Sequence, residues 1–308
     1  MEKEFEESFE QIYDKIKNSC EKRLNEVKKQ NRDFLLKIFA VLSIINIIIY
    51  IIPETNYLTK LTLCISACVL MILMISGNSN YRKIYKDNVI EGLVKGYNEK
   101  YYFNSTQGIT KIEYEMSHFD NSFDEYRSED RIFGTLESGD NFQIAEVVTN
   151  EISRTTNSEG KQTETRTETF RGIFGIIRLQ KNLLSRIHIV SNWNLRKYSK
   201  NRLEMDSAQF EENFDCLTPD KVTAMRVFTS ELIEKYLEIV KNNKKSFELK
   251  IENDMIYFRY KTNKLFEPPV FGSGLNKEFL KKYYKTMYYP IEIVKSTAEH
   301  INHVIDEN

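Results

Sequence analysis

Two apolar stretches decide the fold: FLLKIFAVLSIINIIIYII at residues 34–52 and YLTKLTLCISACVLMILMIS at residues 57–76. A helix of about 19 residues is roughly 28 Å long, close to the ~30 Å hydrocarbon core of a bilayer. Neither stretch has the polar face that a helix on the surface of a soluble protein needs. The alternative is a buried core hairpin in a soluble protein. We predict a two-helix transmembrane hairpin with Pro53–Asn56 as its connector.

Basic residues flank this hairpin on both sides and are absent from the connector. Those before the first stretch are Lys17, Lys22, Arg23, Lys28, Lys29 and Arg32, and those after the second are Arg82, Lys83, Lys86 and Lys95. Loops rich in Lys and Arg stay in the cytoplasm. We therefore expect a multi-pass protein of the cytoplasmic (inner) membrane, with both termini in the cytoplasm.

One polar residue, Asn46, lies inside the first predicted span. Polar and small side chains are the usual contacts between helices in a membrane. Asn46 is therefore a candidate helix–helix contact, together with the small residues Ser66 and Ala67 of the second span. The same residues could instead assemble the protein into a larger membrane complex.

Composition narrows the class of partner and the compartment. The chain has 308 residues, with 44 Lys and Arg against 45 Asp and Glu, so its net charge of −1 gives no reason to expect nucleic acid as a partner. Of the four cysteines, Cys64 and Cys68 lie within the second span, where they serve as small packing residues. Cys20 and Cys216 are isolated in the sequence, a usage typical of a reducing compartment.

Residues 1–33 form an N-terminal segment of their own. Apolar residues recur there at intervals of three and four, which predicts an amphipathic helix: Phe5, Phe9, Ile12, Ile16 and Cys20. Two interpretations remain open. The helix either packs on the cytosolic domain or a partner helix, or it lies on the bilayer surface.

Residues 77–308 predict a cytosolic α+β domain of antiparallel strands and amphipathic helices that ends in a long helical segment. The predicted strands include Ile109–Phe119, Arg131–Leu136, a hairpin of Asn141–Ser153 with Gln162–Leu179, Arg186–Val190, and a second hairpin that turns at Asn253-Asp254. Predicted helices follow Asn80, Ser207, Thr218-Pro219, Ser230 and Asn276.

The sequence contains no recognisable catalytic, phosphate-binding or metal-binding motif, and we assign no catalytic residue, cofactor or metal. Glu129-Asp130 is interpreted as a cap or as a salt-bridge partner of Arg127 or Arg131. Phe170–Gly175 (FRGIFG) carries two glycines in an apolar strand, which indicates a close approach by another backbone or by a ligand.

Lysines and tyrosines alternate near the C-terminus in KEFLKKYYKTMYY, residues 277–289. If this helix faced the bilayer, its basic aromatic side chains could bind anionic lipid or a partner protein. The candidate surface residues are Lys281, Lys282, Lys285, Tyr284 and Tyr288. The alternative is a helix with buried tyrosines and solvated lysines.

Several short blocks occur together in order: Phe142–Glu146, Phe170–Phe174, Met205–Glu211, Asp220–Arg226 and Leu265–Pro268. With this order and spacing the chain resembles the bacterial membrane-protein family catalogued as domain of unknown function 3137. The resemblance implies an N-terminal helix, two spans and a cytosolic domain, and it suggests a LemA-like membrane protein as a partner. It supplies no catalytic residues.

These observations lead to three hypotheses about function. The first is a membrane-anchored, non-enzymatic binding or scaffold module that presents an α+β domain to a protein or lipid partner at the inner face of the membrane. The second is a subunit of a membrane complex that assembles through its transmembrane helices. The third is a membrane-tethered enzyme without a recognisable motif.

Overall fold

The computed structural model describes residues 2–51, 56–120, 122–156, 162–191, 200–242, 247–263, 266–269 and 275–307. Residues 52–55, most of the predicted connector, lie outside this description. So do Leu265 and residues 157–161, where the sequence predicts the turn of the long hairpin.

Two long helices open the chain. Helix α1 spans Glu2–Ile51 and contains 50 residues, which corresponds to about 75 Å. Helix α2 spans Asn56–Tyr85 and contacts α1. It continues through a π-helical segment, Lys86–Ile90, into α3, Glu91–Tyr97, and the residues at both junctions keep right-handed helical angles. The helix predicted to follow Asn80 is therefore the last part of one continuous helical rod.

A sheet of nine strands forms the centre of the domain, and every neighbouring pair in it is antiparallel. The strands are β1 Tyr102–Asn104, β2 Glu125–Thr135, β3 Asn141–Thr156, β4 Gln162–Arg178, β5 Arg186–Ser191, β6 Arg202–Leu203, β7 Phe214–Leu217, β8 Phe247–Glu252 and β9 Met255–Lys261. Their order across the sheet is β1-β2-β3-β4-β9-β8-β5-β7-β6. The predicted α+β class with antiparallel strands and amphipathic helices is confirmed.

Five shorter or later helices pack on this sheet: α4 Lys111–Glu115, α5 Ala208–Asn213, α6 Lys221–Val227, α7 Ser230–Asn242 and α8 Lys277–Asp306. One face of the sheet shares a large apolar core with α1, α3 and α5 to α8. The other face carries a smaller core that α4 covers, centred on Tyr114, Phe170 and Phe174.

Several local predictions agree with these elements. Ser207 caps α5 by accepting a hydrogen bond from the Phe210 amide, and Asn276 caps α8 in the same way. Asn253 turns the β8–β9 hairpin with a φ of 57°. Helix α8 continues without interruption through Pro290. Helix α6 is capped by Asp220, not by Thr218, whose hydroxyl instead accepts a hydrogen bond from the Asp220 amide.

The prediction of a strand at Ile109–Phe119 is wrong, because α4 occupies this segment. Thr110 and Glu113 form a capping box, in which each side chain accepts a hydrogen bond from the backbone N–H of the other residue. Ile112 is 71 % exposed, so the alternation of this segment does not reflect two faces of a strand. Local capping outweighs the pattern of alternating residues here.

The first half of α1 belongs to the core of the domain. Its periodic apolar residues are buried: Phe5, Phe9, Ile12, Ile16, Cys20 and Leu24. They pack on α3 and α8. Of the two interpretations of this segment, the structure shows the one in which the helix packs on the domain.

The second half of α1 is different, because its apolar side chains are exposed. Phe34, Leu36 and Ile44 are 52 to 58 % exposed, and Ile51 is 71 % exposed. Within the part of the chain that the structure describes, α1 is the helix long and apolar enough to cross a membrane. Its most apolar window has a mean hydropathy of 2.5, and none of that window is buried.

Candidate functional site

A buried ion cluster lies where the rod of α2 and α3 enters the domain. The Lys86 ammonium is 2.7 Å from Asp130 Oδ2 and 3.3 Å from Glu267 Oε1. The side chains of Lys86 and Asp130 are 4 % and 0 % exposed. Arg82 approaches the other oxygen of Glu267 at 2.6 Å. Three distant parts of the chain therefore meet at one ammonium group: the helical rod, β2 and the segment before α8.

Each of these three parts departs from regular backbone geometry at the cluster. Lys86 is the first residue of the π-helical segment. Asp130 has a φ of 59° and lies at a shift in the register between β2 and β3, after Glu129 and before Ile132. Phe266, next to Glu267, has a φ of 55°. Left-handed conformations at residues other than glycine and π-bulges are both enriched at functional positions.

The bulge in β2 explains how Asp130 reaches the helical side of the sheet. Side chains of a regular strand alternate between its two faces, and an extra residue interrupts that alternation. Glu129 pairs with Glu146 and Ile132 with Ile144, so β2 has one residue more than β3 in this interval. The extra residue directs the Asp130 carboxylate into the larger core, where Lys86 meets it.

The segment around Glu267 is held by aromatic packing. Phe266 is 3 % exposed and lies edge-on to Phe103 and Tyr283. The Tyr283 hydroxyl donates a hydrogen bond to the backbone carbonyl of Glu267. Helix α8 thereby positions the carboxylate that faces Lys86 and Arg82.

The pKa values of Lys86 and Asp130 are both raised, but for different reasons. Burial, together with the nearby carboxylates Glu129 and Glu146, raises the pKa of Asp130 to about 7, and Lys86 opposes that shift. Burial would lower the pKa of Lys86, but Asp130 and Glu267 outweigh it, and the net shift is upward. Lys86 therefore stays charged, while Asp130 changes charge near neutral pH.

Not every polar atom of the cluster is satisfied. Among the described residues Asp130 Oδ1 is buried and accepts no hydrogen bond. The hydroxyls of Tyr81 and Tyr85 on α2 are likewise buried without a hydrogen-bond partner in the described part of the chain. A buried carboxylate oxygen without a donor costs stability, so the cluster holds the rod in place without an optimal network.

A second acid lies on the edge of this cluster. Glu146 on β3 is 2 % exposed and is 3.7 Å from Arg171 on β4. Arg171 also pairs with Glu168 at 2.6 Å.

The two glycines of FRGIFG, Gly172 and Gly175, lie where another strand approaches β4 closely. A Cβ at Gly172 would lie 2.1 Å from the Tyr260 carbonyl oxygen, and one at Gly175 would lie 2.1 Å from the Phe258 ring, so strand β9 makes the close approach.

The predicted basic aromatic surface near the C-terminus is not a surface at its tyrosines. Tyr284 is 0 % and Tyr288 6 % exposed, because α1 covers this side of α8. The Phe5 ring centroid is 5.4 Å from that of Tyr284 and 5.3 Å from that of Tyr288. This placement corrects the prediction of a shared surface, since the apolar side of the N-terminal helix needs these rings as its packing partner.

Two of the three lysines of that prediction, Lys281 and Lys285, lie beside residues of this contact. Lys281 pairs with Glu6 of α1 at 2.7 Å, and Lys285 lies 5.6 Å from the centroid of the Tyr289 ring. Lys282 is exposed. The structure therefore separates the five candidate residues into two buried tyrosines and three lysines that are partly or fully exposed. It does not bring the five together as one binding site.

Asn46, Ser66 and Ala67 are the residues predicted to form the contact between the two apolar stretches. Asn46 Nδ2 donates hydrogen bonds to Ser66 Oγ at 2.9 Å and to the Leu42 carbonyl at 2.8 Å. Ala67 is exposed. Asn46 Oδ1 is buried and has no hydrogen-bond partner within the described residues. The amide nitrogen of Asn46 thus joins α1 to α2, while its amide oxygen accepts no hydrogen bond from the described residues.

Sequence reasoning missed the ion cluster. Asp130 was expected to pair with Arg127 or Arg131, which are its neighbours in the sequence, but its partner lies 44 residues away. Lys86 was counted only as one of the basic residues that flank the hairpin. The available signal was a lysine inside an amphipathic helical pattern, and that signal does not identify a partner.

The described residues contain no group of three or more His, Cys, Asp and Glu side chains that could hold a metal ion. Comparison with known proteins adds one relationship. No curated protein and no solved structure matches the chain. Residues 168–298, from β4 into α8, match the family described as "Protein of unknown function (DUF3137)", and over this region the chain resembles that family.

Proposed function

We propose that this protein is a membrane-anchored binding or scaffold module that presents its α+β domain to a partner at the cytoplasmic face of the membrane. The supporting observation is the division of α1 into two halves. The periodic apolar residues from Phe5 to Leu24 are buried in the domain, whereas the segment from Phe34 to Ile51 of the same helix exposes apolar side chains. One unbroken helix therefore serves both as the proposed anchor and as part of the domain.

The proposed anchor is a hairpin in which residues 34–52 and 57–76 both span the bilayer. Three observations support it: the length of the two apolar stretches, the contact between α1 and α2, and the Asn46–Ser66 hydrogen bond. The basic residues on both flanks support a cytoplasmic location for the two termini. The buried ion cluster then fixes how the domain is held relative to the anchor.

The partner in this proposal is a protein. The resemblance to the DUF3137 family suggests a LemA-like membrane protein. An anionic lipid is a second candidate, because Lys282 on α8 is an exposed cation. Lys86 and Asp130 of the ion cluster are closed to solvent, so their charges serve to position the helical rod rather than to contact a substrate.

A second candidate function is that of a subunit in a membrane complex. The observation that favours it is Asn46 Oδ1, a buried acceptor to which no described residue donates a hydrogen bond. Such an atom costs less when a donor from another helix reaches it. A neighbouring copy of the chain, or another membrane protein, would supply that donor.

Cysteine labelling tests the proposed topology. Cys20, Cys64, Cys68 and Cys216 are first replaced by Ala, and Thr55→Cys or Lys22→Cys is then introduced. We expect a membrane-impermeant maleimide to label the Thr55→Cys variant in intact spheroplasts, and the Lys22→Cys variant only after lysis. Both variants should remain in the membrane fraction after carbonate extraction. Release of the protein by carbonate, or labelling of Lys22→Cys in intact spheroplasts, would contradict the proposal.

A further inference from the structure

An open groove crosses the face of the sheet opposite the large core. It has a volume of about 690 Å³ and runs from β1 across β2, β3 and β4 to β9, beside α4. Cavities of roughly 300–1,000 Å³ are typical of sites for small organic ligands. The groove is separate from the ion cluster, which faces the helices on the other side of the sheet.

The charged groups of the groove are mainly basic. Lys100, Arg131 and Arg178 line it, against one acid, Glu113. The chain as a whole carries a net charge of −1, so this excess of cations is not a general property of the protein. Lys100 and Arg178 are exposed. An anion in the groove would meet charges that the surrounding solvent still reaches.

The single acid is already occupied. Glu113 Oε2 accepts hydrogen bonds from the Thr110 amide at 2.9 Å and from the Thr110 hydroxyl at 2.6 Å. Glu113 Oε1 accepts one from Gln143 Nε2 at 2.7 Å. The carboxylate is committed to capping α4 and to Gln143. It keeps its negative charge and interacts with Arg131, but three cations against one acid still leave the groove with an excess of positive charge.

Arg131 is held in a fixed position within the groove. Its guanidinium carbon lies 4.8 Å from the centroid of the Phe133 ring, and one terminal nitrogen donates to Gln107 Oε1 at 3.3 Å. Its Nε is buried and has no hydrogen-bond partner among the described residues. A guanidinium stacked on an aromatic ring is well suited to recognise a planar oxyanion.

The rest of the lining is apolar and aromatic. Tyr102, Phe133 and Tyr257 contribute rings, and Met116, Ile176 and Met255 contribute aliphatic surface. Tyr102 and Met116 are 53 % and 54 % exposed, which is unusual for side chains of this size. Methionine side chains adapt their shape to different ligands. This surface fits the body of a ligand whose acidic group lies among the cations.

A neighbouring depression limits the form of that ligand. It measures about 540 Å³ and shares Met116, Met255 and Tyr257 with the groove. Its other lining residues are three acids, Glu115, Glu252 and Asp254, together with Ile112, His118 and Asn253. Lys111 and Arg186 pair with Glu115 and Glu252 but do not line the depression. A second anionic group at the far end of a ligand would therefore meet carboxylates.

From this arrangement we propose that the groove binds an organic anion that has one acidic head, a carboxylate or a phosphate monoester, and an apolar body. The head lies among Lys100, Arg131 and Arg178, and the body lies over Met116, Met255 and Tyr257. This proposal rests on the binding role proposed above and identifies the class of ligand that the domain takes.

Calorimetric titration of the full chain in a neutral detergent tests this assignment. The probes are biphenyl-4-carboxylate, biphenyl-4-yl phosphate, the neutral biphenyl-4-methanol and the two-headed biphenyl-4,4′-dicarboxylate, each corrected with empty micelles. We expect at least one of the two one-headed anions to bind, and the one that binds identifies the acidic group. The alcohol and the dicarboxylate should bind at least about tenfold more weakly than that anion, because one lacks the charge and the other brings a second charge to the acidic end.

Matched variants complete the test. Lys100→Glu combined with Arg178→Glu should weaken binding of the one-headed anion about tenfold or more. Lys221→Glu should leave it unchanged, since Lys221 is an exposed lysine at the start of α6, outside the groove, where a carboxylate suits the helix dipole. Equal melting temperatures of all three proteins show that the fold is retained.

The proposal is overturned if neither one-headed anion binds, if the alcohol or the dicarboxylate binds as tightly as the anion, or if the double variant binds like the unaltered protein. Any of these results would leave the proposed membrane anchor standing, because retention in the membrane and cysteine labelling are measured separately. Conversely, loss of the anchor would not alter the titration.

Discussion

Two features of Asp130 are energetically unfavourable: its backbone is in the left-handed conformation, and the residue, which carries a carboxylate, is only 1 % exposed. Left-handed conformations cost an ordinary residue on the order of 1 kcal/mol, although Asp and Asn tolerate them best. Its neighbours in the sequence do not reveal either cost, because the ammonium that compensates for burial comes from the π-helical segment after α2. The identity of the buried residue could not be predicted from the sequence, since it depends on a contact between distant segments.

Replacement of Asp130 by Asn should change how stability depends on pH. The pKa of Asp130 is about 7 in the folded protein, against an ordinary value of 3.8. Between about pH 4 and 7 the folded protein therefore holds a proton that the unfolded chain has released. The free energy of unfolding falls as pH rises through this window, on the order of a few kcal/mol, and Asp130→Asn should remove that fall.

Denaturant titrations in detergent at pH 5, 6, 7 and 8, followed by circular dichroism, measure this effect. Asn accepts the left-handed conformation, so the comparison isolates the charge. Asp306→Asn, which removes an exposed acid on the last turn of α8, should follow the unaltered protein. If Asp130→Asn also follows the unaltered protein at every pH, the raised pKa of Asp130 is wrong.

At the scale of elements, the contact between α1 and α3 depends on two glycines one helical turn apart. Gly92 and Gly96, the first and last residues of GLVKG, both face α1. A Cβ at Gly96 would lie 2.7 and 2.8 Å from the two γ-carbons of Ile12. A Cβ at Gly92 would lie 3.0 Å from Ile16 Cγ1. The first contact is the tighter of the two.

These distances predict opposite effects for two otherwise identical substitutions. Both Gly92→Ala and Gly96→Ala gain up to about 1 kcal/mol in helix propensity. Gly96→Ala should nevertheless lower the free energy of unfolding by about 1–2 kcal/mol, because the branched side chain of Ile12 has little room to move. Gly92→Ala should be neutral or stabilising, and serves as the matched control.

Hydrogen exchange locates the effect. Gly96→Ala should increase exchange across residues 5–24 of α1, with little change in β3 and β4. Equal exchange in the two alanine variants would show that this contact does not hold α1 on the domain.

Helices and strands were predictable from the sequence where the local pattern of capping, turn and apolar residues agrees with the packing in the folded domain. Helix α7 matches the predicted Ser230–Asn242, and the β8–β9 hairpin turns at the predicted residues. Ile109–Phe119 failed because its alternation competes with a capping box, and the capping box prevails. The groove was not predictable at all, because its cations come from β2, β4 and the segment before β1, and only the order of strands in the sheet brings them together.

For the whole molecule, the open question is whether the protein functions alone or in an assembly. Asn46→Leu removes both the amide that binds Ser66 and the oxygen that lacks a donor. Ser66→Ala removes only the contact within the chain. If the oxygen of Asn46 joins copies or partners, Asn46→Leu should reduce the size of the detergent-extracted particle, and Ser66→Ala should leave it unchanged.

Size-exclusion chromatography with light scattering measures the mass of each particle at equal detergent concentration. A particle mass that is the same for the unaltered protein and for Asn46→Leu would remove the main support for the membrane complex. A decrease in both variants would show that the hydrogen bond within the hairpin is what matters for assembly.

The unbroken length of α1 has a mechanical consequence. No flexible joint separates Phe34–Ile51 from the half of the helix that is buried in the domain. Membrane helices adopt tilts that differ by more than about 10°. If the outer half of α1 lies in a bilayer and its tilt changes by about 10°, the inner half, which is roughly 48 Å long, must tilt with it. The far end of the inner half would swing by about 8 Å. Thinning or stretching of the bilayer would therefore act on the domain through a lever.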